Sequence, residues 1–470
     1  MGWSYIMCSA CKGIHRLKNK LPAWRKWIYG SGDLGFSLTS TIVGAYFAIF
    51  LTDVVGVPAR IAAIAIFLGR TWDYINDPLF GYLTDRTRTR WGRRRPYLLF
   101  GPIPFAIVFT LMWWRPPIQG DIALALYYAF VYILYDAVVT LVYMPFIALT
   151  PELTSDYDER TSLNSVRAFF SILGSLIAFT IPLMIIHSFT PEQASNVLWM
   201  GFSFAIFSVI PLFLVFFGTR ERPEFMQQEK PGLRESLKAS IQNKPFIFSA
   251  GIYLFTWISV DILQTIMLYF IKYVVDREGN SDVIMATIFV VGICALPLWV
   301  WISRRLNKRL AYIAGMAFLA AVLMVLINLT PATPLSWILI LCVLAGIGIS
   351  AAHVIPWSII PDAIEYGEWK TGKRYEGVFY SLISLAQKVA SSFAIPLALL
   401  VLDGTGYIPN GATQPTSAVL GIRIVTGPIP AVMITLGILF AILYPLGRER
   451  YTQIAIELEE RRAGVSEDLP

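Results

Sequence analysis

Two carboxylates and an amide stand where an apolar helix should not carry them. The stretch Arg70-Thr-Trp-Asp73-Tyr-Ile-Asn76-Asp77-Pro78 interrupts a hydrophobic run of this 470-residue chain. On a helix Asp77 lies four residues after Asp73 and Asn76 three after it, so all three oxygen-bearing side chains share one face. An ionised side chain at the centre of a membrane helix costs about 2.5–3.5 kcal/mol on the insertion scale and needs a compensating partner. Two such carboxylates resist joint ionisation in a low-dielectric interior unless a proton or a metal cation joins them. The chemistry this pattern offers is reversible capture of a small cation. The plainer alternative is that Arg70 and a neighbouring helix neutralise the pair.

Further polar residues interrupt other apolar runs: Asp33, Asp136, Thr140, Asp261 and Lys388. Asp136, Thr140 and Tyr143 fall at i, i+4 and i+7, one stripe of a helix. Arg167 stands near the start of a run, placed either to snorkel outward or to turn inward. His353 is read first as a hydrogen-bonded structural histidine and second as a proton relay. The turn Gly81-Tyr-Leu-Thr-Asp85-Arg86, followed by Arg88, Arg90, Gly92, Arg93, Arg94, Arg95 and Pro96, places a basic loop after an acidic helix end. It is either an anchor for the loop or a latch that pairs in one conformation and parts in another.

These residues must be positioned by membrane helices. The chain is 56% hydrophobic and 15% charged, against roughly 25% charged in soluble domains, and its mean hydropathy is +0.61. A bilayer core of ~30 Å needs about 20 apolar residues per helix. Runs of that length are expected at 27–52, 59–84, 96–115, 121–150, 164–188, 196–218, 246–272, 282–302, 311–330, 335–361, 376–402 and 420–446. They are continuous rather than alternating, which excludes a transmembrane barrel. The fold class is therefore an all-α membrane protein of twelve transmembrane helices.

Lysine and arginine set the orientation. With a cytoplasmic N-terminus, 31 of the 38 basic residues fall in inside segments and 5 in outside ones, the latter being Arg60, Arg115, Lys272, Arg277 and Arg423. Both termini are expected in the cytoplasm of a cell with this chain in its inner or plasma membrane. The charges punctuate apolar spans instead of forming one basic face, which argues against nucleic-acid binding. Domain boundaries follow: a cytoplasmic tail 1–26, a six-helix half 27–218, a cytoplasmic central loop 219–245, a second half 246–446 and a cytoplasmic tail 447–470. Met144-Pro145-Phe146 with Pro151-Glu152 recurs as Ile355-Pro356-Trp357 with Pro361-Asp362, and such echoes roughly 210 to 220 residues apart imply two related halves.

Other classes fit poorly. Only three histidines occur (His15, His187, His353), without an H-E-x-x-H, G-x-S-x-G or P-loop pattern, so a membrane-embedded enzyme is a remote alternative. Cys8 and Cys11 form a lone C-x-x-C, weak as a metal or redox motif, and Cys294 and Cys342 lie in apolar runs. The basic residues of the N-terminus follow its short apolar run, contrary to a signal peptide. No cofactor and no obligatory protein partner is expected, and a monomer in the lipid bilayer suffices.

The pattern from Gly81 to Arg94 resembles the loop signature of the major facilitator superfamily. Asp73-Tyr-Ile-Asn-Asp-Pro78 with Arg90-Trp-Gly92 resembles its glycoside-pentoside-hexuronide:cation symporter branch. Pro145-Phe146 to Pro151, Arg167-Ala-Phe-Phe170, Asp362-Ala-Ile-Glu-Tyr-Gly-Glu368, Lys388 and Gly406-Tyr-Ile-Pro-Asn410 extend the likeness. The resemblance implies a major facilitator fold and cation-coupled symport of a glycoside, pentoside or hexuronide by alternating access. It implies a site for Na+ or H+, with Li+ a further candidate, made by Asp73, Asn76, Asp77 and Thr140. Asp33 and Arg167 match sugar-recognition residues, and Lys388 a lysine held near the cation. Tyr143 and His353 stand where the branch has an aspartate and a tryptophan near the sugar, and Gly32 where its type member has lysine. The implied substrate is thus a small molecule, a sugar first and a lysophospholipid or other amphiphile second. Asp85, Arg86, Arg93 and Arg94 form the implied conformational loop.

Overall fold

The computed structural model describes residues 21–154, 157–186, 188–220, 242–372 and 376–462. Cys8, Cys11, His15 and His187 lie outside the described residues, as does the side chain of Asp85. The helices, in chain order, are α1 (Ala23–Ile49), α2 (Ala59–Thr71), α3 (Asp73–Arg86), α4 (Arg95–Phe100), α5 (Pro102–Met112), α6 (Asp121–Ala148), α7 (Thr150–Leu153), α8 (Tyr157–Ile185) and α9 (Ala194–Gly218). A second series follows: α10 (Lys244–Tyr269), α11 (Ser281–Arg305), α12 (Lys308–Leu326), α13 (Leu335–Thr371), α14 (Glu376–Gly404), α15 (Thr416–Thr426), α16 (Pro428–Leu443) and α17 (Arg448–Arg462). Among the described residues the only β feature is an isolated bridge between Thr89 and Gly92, where Gly92 takes φ 108°, a conformation that favours glycine.

Among the described residues, ten helical stretches are long and apolar enough to cross a membrane. Each of the two other expected spans comprises two consecutive shorter helices. The second is α2 running into α3 through Trp72, whose backbone keeps right-handed helical angles (φ −59°, ψ −31°) and whose carbonyl accepts from the Asn76 N–H at 3.0 Å; its second part is too polar to count as apolar because it carries Asp73, Asn76, Asp77 and Asp85. The third is α4 and α5, joined at Gly101. The bundle's outer surface is apolar, with Ile64, Ile107, Phe130, Trp199, Phe217, Trp301 and Trp337 exposed. A soluble protein would cover such a band; here acyl chains do.

The two series repeat one another in detail. α1 ends in a π-helical turn at Phe50–Val55 and α10 in another at Phe270–Val274. Pro145 and Pro356 sit inside α6 and α13. Prolines and π turns each free backbone groups that a neighbouring helix must satisfy, so their recurrence marks equivalent places in two related packings. Two boundaries differ from expectation. α13 continues to Thr371, through both Pro356 and Pro361, and stops at Gly372, which is left-handed (φ 68°). Within 447–470, α17 docks on the second half: Ile454 and Leu458 are buried, Glu457 accepts from the Trp369 indole at 2.5 Å, and the Tyr451 hydroxyl donates to Glu365 at 2.8 Å. Ile454 and Leu458, four residues apart, share one face of an otherwise charged helix, and that face docks while Ile456 between them is exposed.

Orientation has a direct test. A reporter fused after Lys230 or at the C-terminus is expected on the cytoplasmic side and one inserted near Asn410 outside; an external signal at Lys230 would overturn the charge-based assignment.

Candidate functional site

Among the described residues, three polar clusters bear on the expected site residues and on the contact between the halves. The first gathers the carboxylates of α3. Lys388 of α14 reaches across the two halves, its Nζ 2.7 Å from Asp73 Oδ1 and 2.5 Å from Asp77 Oδ2. The ammonium therefore sits between the two acids, where a monovalent cation would be expected. Thr140 of α6 donates to Asp77 Oδ1 at 3.5 Å, the outer limit of a hydrogen bond. Asn76, buried, donates from Nδ2 to Asp136 Oδ2 at 3.1 Å, and its Oδ1 is buried without a partner among the described residues. Of the alternative in which Arg70 and a neighbouring helix neutralise the acids, the neighbouring helix is present as Lys388 of α14, while Arg70 Nε donates to the Tyr132 hydroxyl at 2.9 Å. The next turn of α14 adds Ser392, which accepts from the Tyr74 hydroxyl at 2.7 Å, and Ser391, which donates to Asp261 of α10.

The second cluster lies in the first half. Arg167 turns inward from α8, Nε 2.6 Å from Asp33 Oδ2 of α1. Its guanidinium also lies over the Phe146 ring, 5.2 Å from the centroid. Tyr143 packs edge-on against Phe36 at 4.7 Å between centroids. The absence of a lysine at position 32 has a steric reason: a Cβ on Gly32 would come within 2.5 Å of the Phe146 ring. The stripe Asp136, Thr140, Tyr143 thus links the clusters, its first two members at the acids of α3 and its third beside Arg167. His353 belongs to α13 of the second half. Its Nδ1 pairs with the Ile349 carbonyl at 3.0 Å and its ring lies edge-on to Trp257 at 5.3 Å.

The third cluster was not expected. Asp53, fully buried in the π turn after α1, takes Lys272 Nζ at 2.8 Å, Thr52 Oγ1 at 3.0 Å and the hydroxyls of Tyr273 and Tyr407. Lys272 also donates to the Phe189 carbonyl at 2.7 Å. This network ties the first half to the second at one end of the bundle. The available signal was an acid at the end of the first span and a lysine at the matching place in the seventh, on the repeat offset. Counting Lys272 only as a loop charge concealed it.

The conformational loop is partly described. Arg95 Nη2 donates to the Phe216 carbonyl at 2.8 Å, and Arg90 stacks on Trp91 at 4.2 Å. Arg86, Arg93 and Arg94 have interaction partners of their own.

Residues 28–448 match the family model described as MFS/sugar transport protein. The chain belongs to that family. It is a multi-pass transporter with the major facilitator fold and not an enzyme. It is 32% identical to an uncharacterized symporter of Synechocystis sp., over 94% of this chain and 98% of that one. It is 27% identical to the isoprimeverose transporter of Lactiplantibacillus pentosus (95% and 93%) and 26% identical to the sodium-dependent lysophosphatidylcholine symporter 1-A of Danio rerio (92% and 87%). The inward open xylose transporter XylE of E. coli shares the fold, with a TM-score of 0.65 at 14% identity over 92% of this chain and 98% of that one.

Proposed function

We propose that the protein is a cation-coupled symporter of a glycoside, pentoside or hexuronide, with Na+ as the coupling ion. The observation that carries this reading is Lys388 bridging Asp73 and Asp77 beside the unpartnered Asn76 carbonyl oxygen. Two carboxylates share one tethered ammonium, so a free cation gains an attractive, oxygen-lined site as soon as the lysine yields. Asp73, Asp77, Asn76 and Thr140 then hold the ion, and release of Lys388 loosens a contact between the halves. Sodium-dependence in the Danio rerio relative favours Na+ over H+.

Substrate is held by Asp33 and Arg167, whose charge-assisted hydrogen bonds replace those a sugar makes with water. Tyr143, set in the aromatic group of Phe36 and Phe146, favours the second reading, a lysophospholipid, because it offers apolar surface where a carboxylate would grip hydroxyls.

A thermal-shift screen of glycosides and lysophospholipids, with and without Na+, separates the two. Asp33→Ala is expected to abolish stabilisation by a soluble glycoside while leaving stabilisation by Na+. Stabilisation by acyl-chain ligands alone, or a native substrate indifferent to Asp33→Ala, would replace the sugar reading with the lipid one.

A further inference from the structure

Asp136 of α6 faces the acids of α3: its Oδ2 accepts from Asn76 Nδ2 at 3.1 Å, and its carboxyl group lies within hydrogen-bonding reach of Asp73. A carboxylate only accepts, so this contact fixes which end of the amide meets it. The Asn76 carbonyl oxygen must then turn away from Asp136, on the helix face that carries Asp73 and Asp77. Asn76 is fully buried and that oxygen has no partner. A buried acceptor left unsatisfied costs about 1–3 kcal/mol, which makes it a place held for a ligand.

We propose that Asp136 is a positioning residue of the cation site: by holding the Asn76 amide nitrogen it presents the Asn76 carbonyl oxygen as a neutral ligand to a monovalent cation between Asp73 and Asp77. The inference rests on the cation reading above and adds a residue that touches no ion itself. Its role matches that of the outer groups that orient metal ligands elsewhere, whose loss typically weakens binding 10–100-fold. With an amide at 136, which can both accept and donate, the pair can meet either way round, so the Asn76 NH2, which repels a cation, can turn to the site.

The test is a NaCl titration of the purified full-length protein at constant ionic strength, balanced with choline chloride and read by melting temperature and tryptophan fluorescence. Asp136→Asn is expected to weaken Na+ about 10–100-fold while the melting temperature without Na+ stays near that of the unaltered protein. The exchanged pair Asn76→Asp/Asp136→Asn is expected to recover most of the affinity, because the new amide donates to a carboxylate whose second oxygen still faces the site. A general structural role for Asp136 predicts no such rescue. An unchanged affinity in Asp136→Asn, or an exchanged pair no better than the single variant, overturns the proposal. If Asp136→Asn fails to fold, Asp136→Glu serves, its longer arm expected to weaken Na+; an unchanged affinity there overturns it equally. The unaltered protein's response separates this from the reading beneath it: no saturable effect of Na+ or Li+ would defeat the cation site itself, whereas binding that ignores Asp136 defeats only its positioning role.

Discussion

Asp77→Asn is expected to eliminate cation-stimulated accumulation while the protein still inserts and folds. In the structure Asp73 and Asp77 share the single ammonium of Lys388, so within this triad one negative charge is left for a cation. The asparagine keeps the shape of the side chain but removes that charge. Lys388 then balances Asp73 alone, and a mobile ion gains little by entering. At an effective dielectric of about 20, one charge pair at 4 Å is worth about 4 kcal/mol, on the order of a 10³-fold change in affinity. The measurement is Na+-gradient-driven uptake in proteoliposomes alongside Na+ titration of the purified protein. Gradient-driven uptake at the level of the unaltered protein, in both Asp77→Asn and Asp73→Asn, would remove the site from consideration.

The second large effect is expected at the opposite cluster. Lys272→Ala strips the buried Asp53 carboxylate of its counter-charge and leaves it only hydroxyl donors. Removing one partner of a buried ion pair costs about 3–5 kcal/mol. Because Asp53 and Lys272 belong to different halves, the cost falls on the state in which that end is closed, and an interaction confined to one state biases the equilibrium against it when lost. Spin labels at Arg60 and Ile408, both exposed near that end, are expected to move apart in Lys272→Ala when the native cysteines have been replaced. Uptake should fall because the altered carrier favours one facing. An unchanged distance distribution with an unchanged melting temperature would show that the network does not hold the end shut.

Much of the architecture was legible in the residues because the bilayer imposes local rules. A helix of about 20 apolar residues is recognisable without its neighbours, and an acid inside such a run is conspicuous because of what it costs. The spans, the acidic face of α3 and the repeat between halves follow from that. The expected span 59–84 runs on through Trp72 from α2 into α3, to Arg86, and its second part is low in hydropathy because it carries Asp73, Asn76 and Asp77. The docking of α17 was missed, since a charged helix with few apolar positions looks like a tail until its partner surface exists.

Composition, spacing and charge bias determined the helical membrane fold, the oxygen-bearing face of Asp73, Asn76 and Asp77, and the exclusion of enzymatic motifs, while Thr140 joined the candidate cation ligands through the family resemblance. The tertiary structure alone decided which charges meet: Lys388 with Asp73 and Asp77 more than 300 residues away, Asn76 with Asp136, and Asp53 with Lys272. Hydropathy acts over one helix length, so it leaves a record within each segment. Pairing between helices depends on the rotation and depth at which two packed surfaces fit, and those are set by the whole bundle rather than by any single stretch of chain.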